Sequence, residues 1–132
     1  MANRFLLRPI VAADLPELHA AIVESSADVA PWLPHLLYGL EPDGLRAWFA
    51  AQARDREEGV AFHFAIVSAA ERALVGACGL TTLNRHHQFA NLYYWVRTSA
   101  TRQGAASAAA RLAARFAFEG LGLQRVEIVV DV

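Results

Sequence analysis

Three consecutive apolar runs between Ala61 and Val96 constrain this chain more than any other feature. In the first, Phe62, Phe64 and Ile66 alternate with His63, Ala65 and Val67, the period of two expected of a half-buried strand. The second runs from Leu74 to Leu83, and the third, strongly aromatic, from Leu92 to Val96. Only two short stretches separate them, Ser68 to Arg72 and Asn84 to Gln88. Connections of that length join antiparallel neighbours and leave no room for a crossover helix. A three-stranded meander follows, which argues against a doubly wound mononucleotide domain, where strand and helix alternate throughout. Gly76 and Gly79 in the second run mark a bulge or the close approach of another backbone.

Other periodicities flank the meander. Phe5, Leu6, Leu7 and Ile10, with Arg4 and Arg8, read as a short strand ended by Asp14-Leu-Pro-Glu17. There Asp14 can cap a helix, Pro16 suits its first turn and Glu17 sits at the capping-box position. Leu15, Leu18 and Ile22 recur at helical spacing up to about Glu24, and Ala30-Pro-Trp-Leu-Pro34 breaks the pattern. Pro42 opens a second helix with Leu45, Trp48 and Phe49 inward and Arg54 to Glu58 outward, closed by Gly59. After the meander Gly104 opens a third helix, whose inward stripe is Ala105, Ala109, Leu112 and Phe116 and whose end falls at Gly120 or Gly122. Val126, Ile128 and Val130 then alternate with Glu127, Val129 and Asp131 as a last strand, so the order is β-α-α-β-β-β-α-β.

With 132 residues, 55% of them hydrophobic and 19% charged, residues 1–132 read as a single domain with ample core. A formal net charge of −1 favours neither nucleic acid nor an anionic membrane as partner, so any anion site must be local. All twelve basic residues are Arg, and with abundant Ala this reads as the habit of a GC-rich bacterial genome. Cys78, alone and inside an apolar run, implies no disulfide framework, no metal-ligand cluster and a reducing, cytoplasmic setting; it reads as a small core residue. The first eight residues have no secretory apolar region, and no stretch is long enough to span a bilayer. The last strand runs into the C-terminus, leaving an edge that needs covering. The expectation is a chain truncated at its C-terminus, or one whose edge a second copy covers, as in a homodimer.

The chemistry concentrates in Tyr93-Tyr-Trp-Val-Arg-Thr-Ser-Ala-Thr-Arg-Gln-Gly-Ala-Ala-Ser107: an aromatic strand, a polar loop, then small residues opening an Ala-rich helix. A helix start offers unpaired N–H groups and the positive end of the dipole. Small residues at Gly104, Ala105 and Ala106 allow a diphosphate to approach that backbone closely, and Arg102 adds charge at the rim. The ligand predicted from these residues is a phosphate-bearing one.

This stretch resembles the acetyl-CoA motif of the GNAT superfamily of N-acetyltransferases, in which an aromatic-rich strand leads into Arg/Gln-x-x-Gly-x-Gly/Ala. The corresponding run here is Thr101-Arg-Gln-Gly104-Ala-Ala106; Thr101 stands where the family usually has Arg or Gln, which weakens a side-chain contact and leaves the backbone cradle. Phe5-Leu-Leu-Arg-Pro-Ile with Ala13-Asp-Leu-Pro-Glu17, the Leu74-Val-Gly-Ala-Cys-Gly-Leu80 strand and the Val126 to Asp131 strand are similar to the RimJ/RimL-like branch. The resemblance implies an α/β (α+β) fold with a mixed, V-splayed central sheet, and acetyl-CoA as cosubstrate with no metal. It places the coenzyme at Trp95, Val96, Arg102, Gln103, Gly104, Ala105, Ala106 and Ser107, between the strand ending at Val96 and the one beginning near Arg125. The implied reaction is acetyl transfer to a primary amine, on a protein N-terminus or a small molecule, by direct attack in a ternary complex. The family's further helix and last two strands have no counterpart before Val132, so a catalytically impaired coenzyme-binding module of the same fold stands as the alternative.

Further candidates follow from the same resemblance. Asn91 occupies a strand position where relatives carry an acid that takes the amine's proton, a role closed to an amide. Glu127 is the other catalytic candidate: it has the opposite parity to Val126 and Ile128 and faces either the cleft or solvent. Trp32, His35 and Tyr38 fall in the segment that borders the acceptor site in the family. Arg111 and Arg115, four apart, read as a solvated helix face or as contacts to the coenzyme's 3′-phosphate, and His86 and His87 as a surface turn without a third metal ligand.

Overall fold

A computed structural model describes residues 4–29, 41–101 and 103–128. Trp32, His35, Tyr38 and Arg102 lie outside the described residues. The elements are β1 (Phe5–Pro9), α1 (Leu15–Val29), α2 (Pro42–Glu58), β2 (Phe62–Ser68), β3 (Leu74–Asn84), β4 (Phe89–Val96), α3 (Ala105–Arg115) and β5 (Arg125–Ile128). A 3₁₀ turn, Ala12–Asp14, precedes α1; a second, Thr98–Ala100, follows β4; and a π-helical turn, Phe116–Gly120, extends α3. The five strands form one sheet in the order β1-β2-β3-β4-β5. The first four are antiparallel neighbours and β5 lies parallel to β4, so the sheet is mixed.

Each face of the sheet is covered by helix. On one, Phe62, Phe64, Ile66, Cys78, Leu80 and Leu92 pack with Ala105, Ala109, Ala113 and Ala117 of the α3 unit. On the other, Leu18 and Ile22 of α1 and Leu45 of α2 pack on Ala65, Val67, Ala77 and Trp95. The expectation of a half-buried β2 is thereby corrected: every residue from Phe62 to Val67 is buried, because a helical layer covers both faces and His63 stays within the fold. The stripe expected on α3 also shifts. Its buried positions are Ala105, Ala108, Ala109 and Ala113, and Leu112 is only partly covered, whereas Phe116, just past the helix, packs edge-on against Phe62 and Phe64 as expected of an inward residue.

The caps show how the ends are set. Pro42 starts α2 and Gly59 closes it at φ 74, the left-handed conformation that terminates helices. Helix α1 runs to Val29, past its expected end near Glu24, since nothing from Ser25 to Val29 breaks it. Asp14 caps the turn in front of α1: Oδ2 accepts the Val11 N–H at 2.8 Å while the carboxylate takes a bidentate pair from Arg8 at 2.7 Å. Glu17, expected in a capping box, instead accepts the Leu74 N–H at 3.2 Å and ties α1 to β3. Arg56, expected outward, lies over the rings of Phe62 and Phe64 at 5.2 and 4.9 Å. Its aliphatic stem and flat cation suit that aromatic surface, and the loss of water lowers its pKa.

Gly76 and Gly79 mark close approaches, as expected. A Cβ at Gly76 would run into the Trp95 carbonyl of β4. The β3 register slips twice, opposite Ile66/Val67 and between Thr81 and Asn84, where Thr82 takes a φ of 53. These bulges increase the twist of the strand at the centre of the sheet.

Candidate active site

The loop after β4 delivers the chain to an unusually bare helix start. Gly104, the residue before α3, adopts φ 85 and supplies no side-chain cap, and the first turn holds no acidic residue. The Ala108 N–H bonds the Gly104 carbonyl at 3.0 Å, so the N–H groups of Ala105, Ala106 and Ser107 precede the helical ladder. Among the described residues, a Cβ built on Gly104 would meet nothing within 4 Å. The space beside Gly104 is open, and Gln103, Gly104 and Ser107 are exposed while Ala105 is buried. Such a start can hold a diphosphate through backbone donors and the helix dipole. Thr101 turns its hydroxyl inward, donating to the Thr98 carbonyl at 3.0 Å, so it closes the preceding turn.

Strand β4 presents its two faces differently. Tyr94 and Val96 pack toward α3, whereas Trp95, 4% exposed, is enclosed on the α1 and α2 side. Anything Trp95 offers to a ligand it therefore offers through its backbone. Parallel pairing joins Phe89–Leu92 to Arg125–Ile128, and β4 continues for Tyr93 to Val96 beyond the described part of β5. Asn91 is opposite Glu127, so these two candidates stand side by side on the Trp95 face of the sheet. Glu127 is exposed and pairs with Arg125 at 3.2 Å.

Sequence reasoning missed a polar group on this same face. The Tyr93 hydroxyl and His63 Nδ1 are 2.5 Å apart, and Trp48 of α2 meets the His63 ring edge-on at 5.1 Å. His63 and Tyr93 each stand opposite Gly79, one on either side of β3, and a side chain there would come between them. Burial raises the pKa of the Tyr93 hydroxyl, with the nearby Cys78 adding to the effect, so the phenol stays protonated. The one sequence signal was Gly79 itself, because a glycine between two wide polar residues announces a contact only once the register is known.

The remaining candidates are peripheral. Arg111 and Arg115 are exposed on α3, and His86 and His87 lie exposed in the β3–β4 turn. Among the described residues no three metal-binding side chains gather, and no helix is long and apolar enough to cross a membrane. Cys78 is buried and its thiol is pushed up to about 12 by burial, which keeps it protonated and inert.

A mixed five-stranded sheet, helices on both faces and an open helix start after the fourth strand are the architecture of an acyltransferase. Solved structures share it. RimL, the ribosomal L7/L12 alpha-N-protein acetyltransferase in complex with coenzyme A, superposes with a TM-score of 0.85 at 20% identity, over 96% of this chain and 71% of that one. The ribosomal-protein-S5-alanine acetyltransferase of Vibrio fischeri gives 0.84 at 17% identity, over 97% and 71%. Spermidine N-acetyltransferase from Vibrio cholerae, in complex with CoA and spermine, gives 0.75 at 18%, over 95% and 70%. A sequence search of curated proteins returns no significant match. Residues 4–132 match the acetyltransferase (GNAT) domain, and the chain belongs to that family.

Proposed function

We propose that the chain transfers the acetyl group of acetyl-CoA to a primary amine, on a protein N-terminus or a small molecule. The observation that carries this reading is the uncapped, glycine-opened start of α3 with open space beside Gly104, directly after β4. In it the backbone N–H groups of Ala105 to Ser107 bind the diphosphate, and the edge of β4 near Trp95 and Val96 holds the thioester. The neutral amine nitrogen attacks the thioester carbon, the C–S bond breaks, the sulfur leaves as thiolate, and the proton shed by the nitrogen passes to solvent or to that thiolate. A free thiol titrates near about 8.5, so its departure needs little acid help. A backbone N–H at the end of β4 aimed at the carbonyl oxygen stabilises the charge that develops there. The ribosomal-protein and spermidine acetyltransferases of the same fold support an amine as acceptor.

Titration calorimetry with acetyl-CoA tests the cradle. Saturable binding is expected, and Gly104→Asp, which sets a carboxylate against the diphosphate, should abolish it; unchanged affinity in the variant would mean the site lies elsewhere. Thiol release over a panel of N-terminal peptides and polyamines then tests turnover. A second reading, a coenzyme-binding module without turnover, is favoured by Asn91 standing where an acid is needed and by the pairing of Glu127 with Arg125. Binding without thiol release across the panel selects it.

A further inference from the structure

The segment entering the phosphate loop is held from outside, by the helix on the other side of the sheet. Arg97 follows β4 directly, and its guanidinium reaches α1: Nη2 donates to Glu24 Oε1 at 3.1 Å and Nε to Glu24 Oε2 at 3.4 Å. Nη1 lies 3.8 Å from Glu17 Oε1 and donates to the Leu74 carbonyl at 3.3 Å. The next two residues open the 3₁₀ turn Thr98–Ala100, and the first N–H groups of such a turn have no acceptor inside it. Here α1 supplies both acceptors. Ser25 Oγ accepts the Thr98 N–H at 3.0 Å, and Glu24 Oε2 accepts the Ser99 N–H at 2.8 Å, across 73 and 75 residues of sequence.

What separates these contacts from ordinary surface pairs is their joint geometry on one turn: Ser25 is fully buried, the Arg97 side chain is 19% exposed, and Glu24, at the surface, is met by both the guanidinium and a backbone N–H. Arg97, and then the Ser99 N–H, hold the Glu24 carboxyl down to about 2, so it is charged throughout the physiological range. Charge-assisted bonds to backbone are the stronger and more directional kind. From Ser99 the chain needs only five more residues to reach Gly104, and Thr101 closes the turn between them.

We propose that Glu24 and Ser25 are positioning residues for coenzyme binding: from α1 they fix the turn at Thr98 and Ser99, and through it the height and direction at which Gly104 presents the start of α3. This rests on the reading of Gly104 to Ser107 as the coenzyme cradle. Freeing the turn lets the loop sample paths that carry the donors away from the diphosphate, and binding must then select among them.

The test is acetyl-CoA affinity by calorimetry in Glu24→Gln, beside Glu24→Asp and the wild type. Glu24→Gln is expected to raise Kd about tenfold, ~1.4 kcal/mol, and Glu24→Asp, which keeps the charge for Arg97, should recover part of the loss. Asp43→Asn, which breaks an exposed pair with Arg46 on α2, is the control and should leave Kd unaltered. A merely structural role would lower the urea midpoint of Glu24→Gln and leave the Kd of the folded protein at the wild-type value; that result overturns the proposal while the coenzyme reading stands. Should Glu24→Gln fail to fold, Ser25→Ala substitutes for it with the same expected direction and the same refuting result. Absence of acetyl-CoA binding by folded wild type instead removes the cradle, and the proposal with it.

Discussion

Replacing Gly79 by alanine should be among the most damaging single-methyl changes available to this chain. The added Cβ would lie 2.6 Å from Tyr93 Cε1, 2.8 Å from the Phe62 carbonyl oxygen and 2.9 Å from His63 Nδ1, all inside the 3.4 Å at which ordinary contact begins. The Tyr93 ring can swing, but the Phe62 carbonyl belongs to a strand buried on both faces and moves only if its pairing with β3 yields. Overpacking of this sort costs about 1–3 kcal/mol, and the rigid partner puts it at the upper end. Parting His63 from Tyr93 removes one hydrogen bond, a net loss of about 0.5–1.5 kcal/mol. Alanine returns about 0.4–1 kcal/mol by restricting the unfolded chain, so the net loss is about 3–4 kcal/mol, a large share of the ~5–15 kcal/mol that a domain possesses. Urea unfolding followed by circular dichroism measures it. In a Tyr93→Ala background one of the three clashes and the hydrogen bond are already gone, and the same alanine should cost at least about 1 kcal/mol less. A loss under about 1 kcal/mol in the wild-type background would refute the view that Gly79 makes room for the His63–Tyr93 contact.

Two further outcomes follow from buried or paired ionisable groups. With its thiol enclosed and pushed up to about 12, Cys78 should resist a disulfide reagent at pH 8 in the folded protein and react once per chain in denaturant; rapid labelling without denaturant would contradict the packing described for β3. The carboxyls of Asp14 and Glu24 both titrate below their ordinary values, Asp14 chiefly through its hydrogen bonds with Arg8 and Glu24, down to about 2, chiefly through those with Arg97. Lowered folded-state values mean that their stabilisation is complete above the unfolded pKa, about 4, and is lost as pH falls toward the folded one. Glu24→Gln should flatten the decline in unfolding free energy between about pH 4.5 and pH 2, Asp14→Asn should flatten it as pH falls below the ordinary carboxylate range, and wild-type slopes in both variants would show that these pairs do not couple to folding.

Local signals made most of the framework legible in the sequence. Alternation and short connections predicted the meander, proline and glycine marked both ends of α2, and Gly104 marked the start of α3, since each acts through its own backbone. What failed to show was set by tertiary structure. Alternation in β2 suggested one wet face, yet α1 and α2 cover the His63 side and α3 the other, and sequence period cannot report a second layer. Ala105, Ala109 and Phe116 do face inward, Phe116 edge-on to Phe62 and Phe64, but Leu112 is only partly covered and Ala108 and Ala113 complete the buried stripe, because small side chains let the helix sit close on the sheet. Asp14 and Glu17 carry a capping signature but serve Arg8, Val11 and Leu74, since a carboxylate within reach of a guanidinium or of a strand N–H finds a partner there as good as its own helix. The contacts of Glu24 with Arg97 and Ser99, like that of His63 with Tyr93 across β3, depend on which elements the tertiary fold brings together, and no window along the chain contains both partners.

The alanines on the inner side of α3 have a consequence for how this domain varies. Ala105, Ala108, Ala109 and Ala113 are spacers one methyl group deep, and they set how far the helix axis stands above β4. Enlarging any of them lifts or tilts the helix, and its first turn, at the end with the open donors, moves most because the π-helical turn Phe116–Gly120 and buried Leu123 anchor the other end. A saturation library scored for both abundance and ligand retention should therefore split along this helix: bulk at Ala113 costs folded protein, whereas bulk at Ala105 costs affinity before it costs fold.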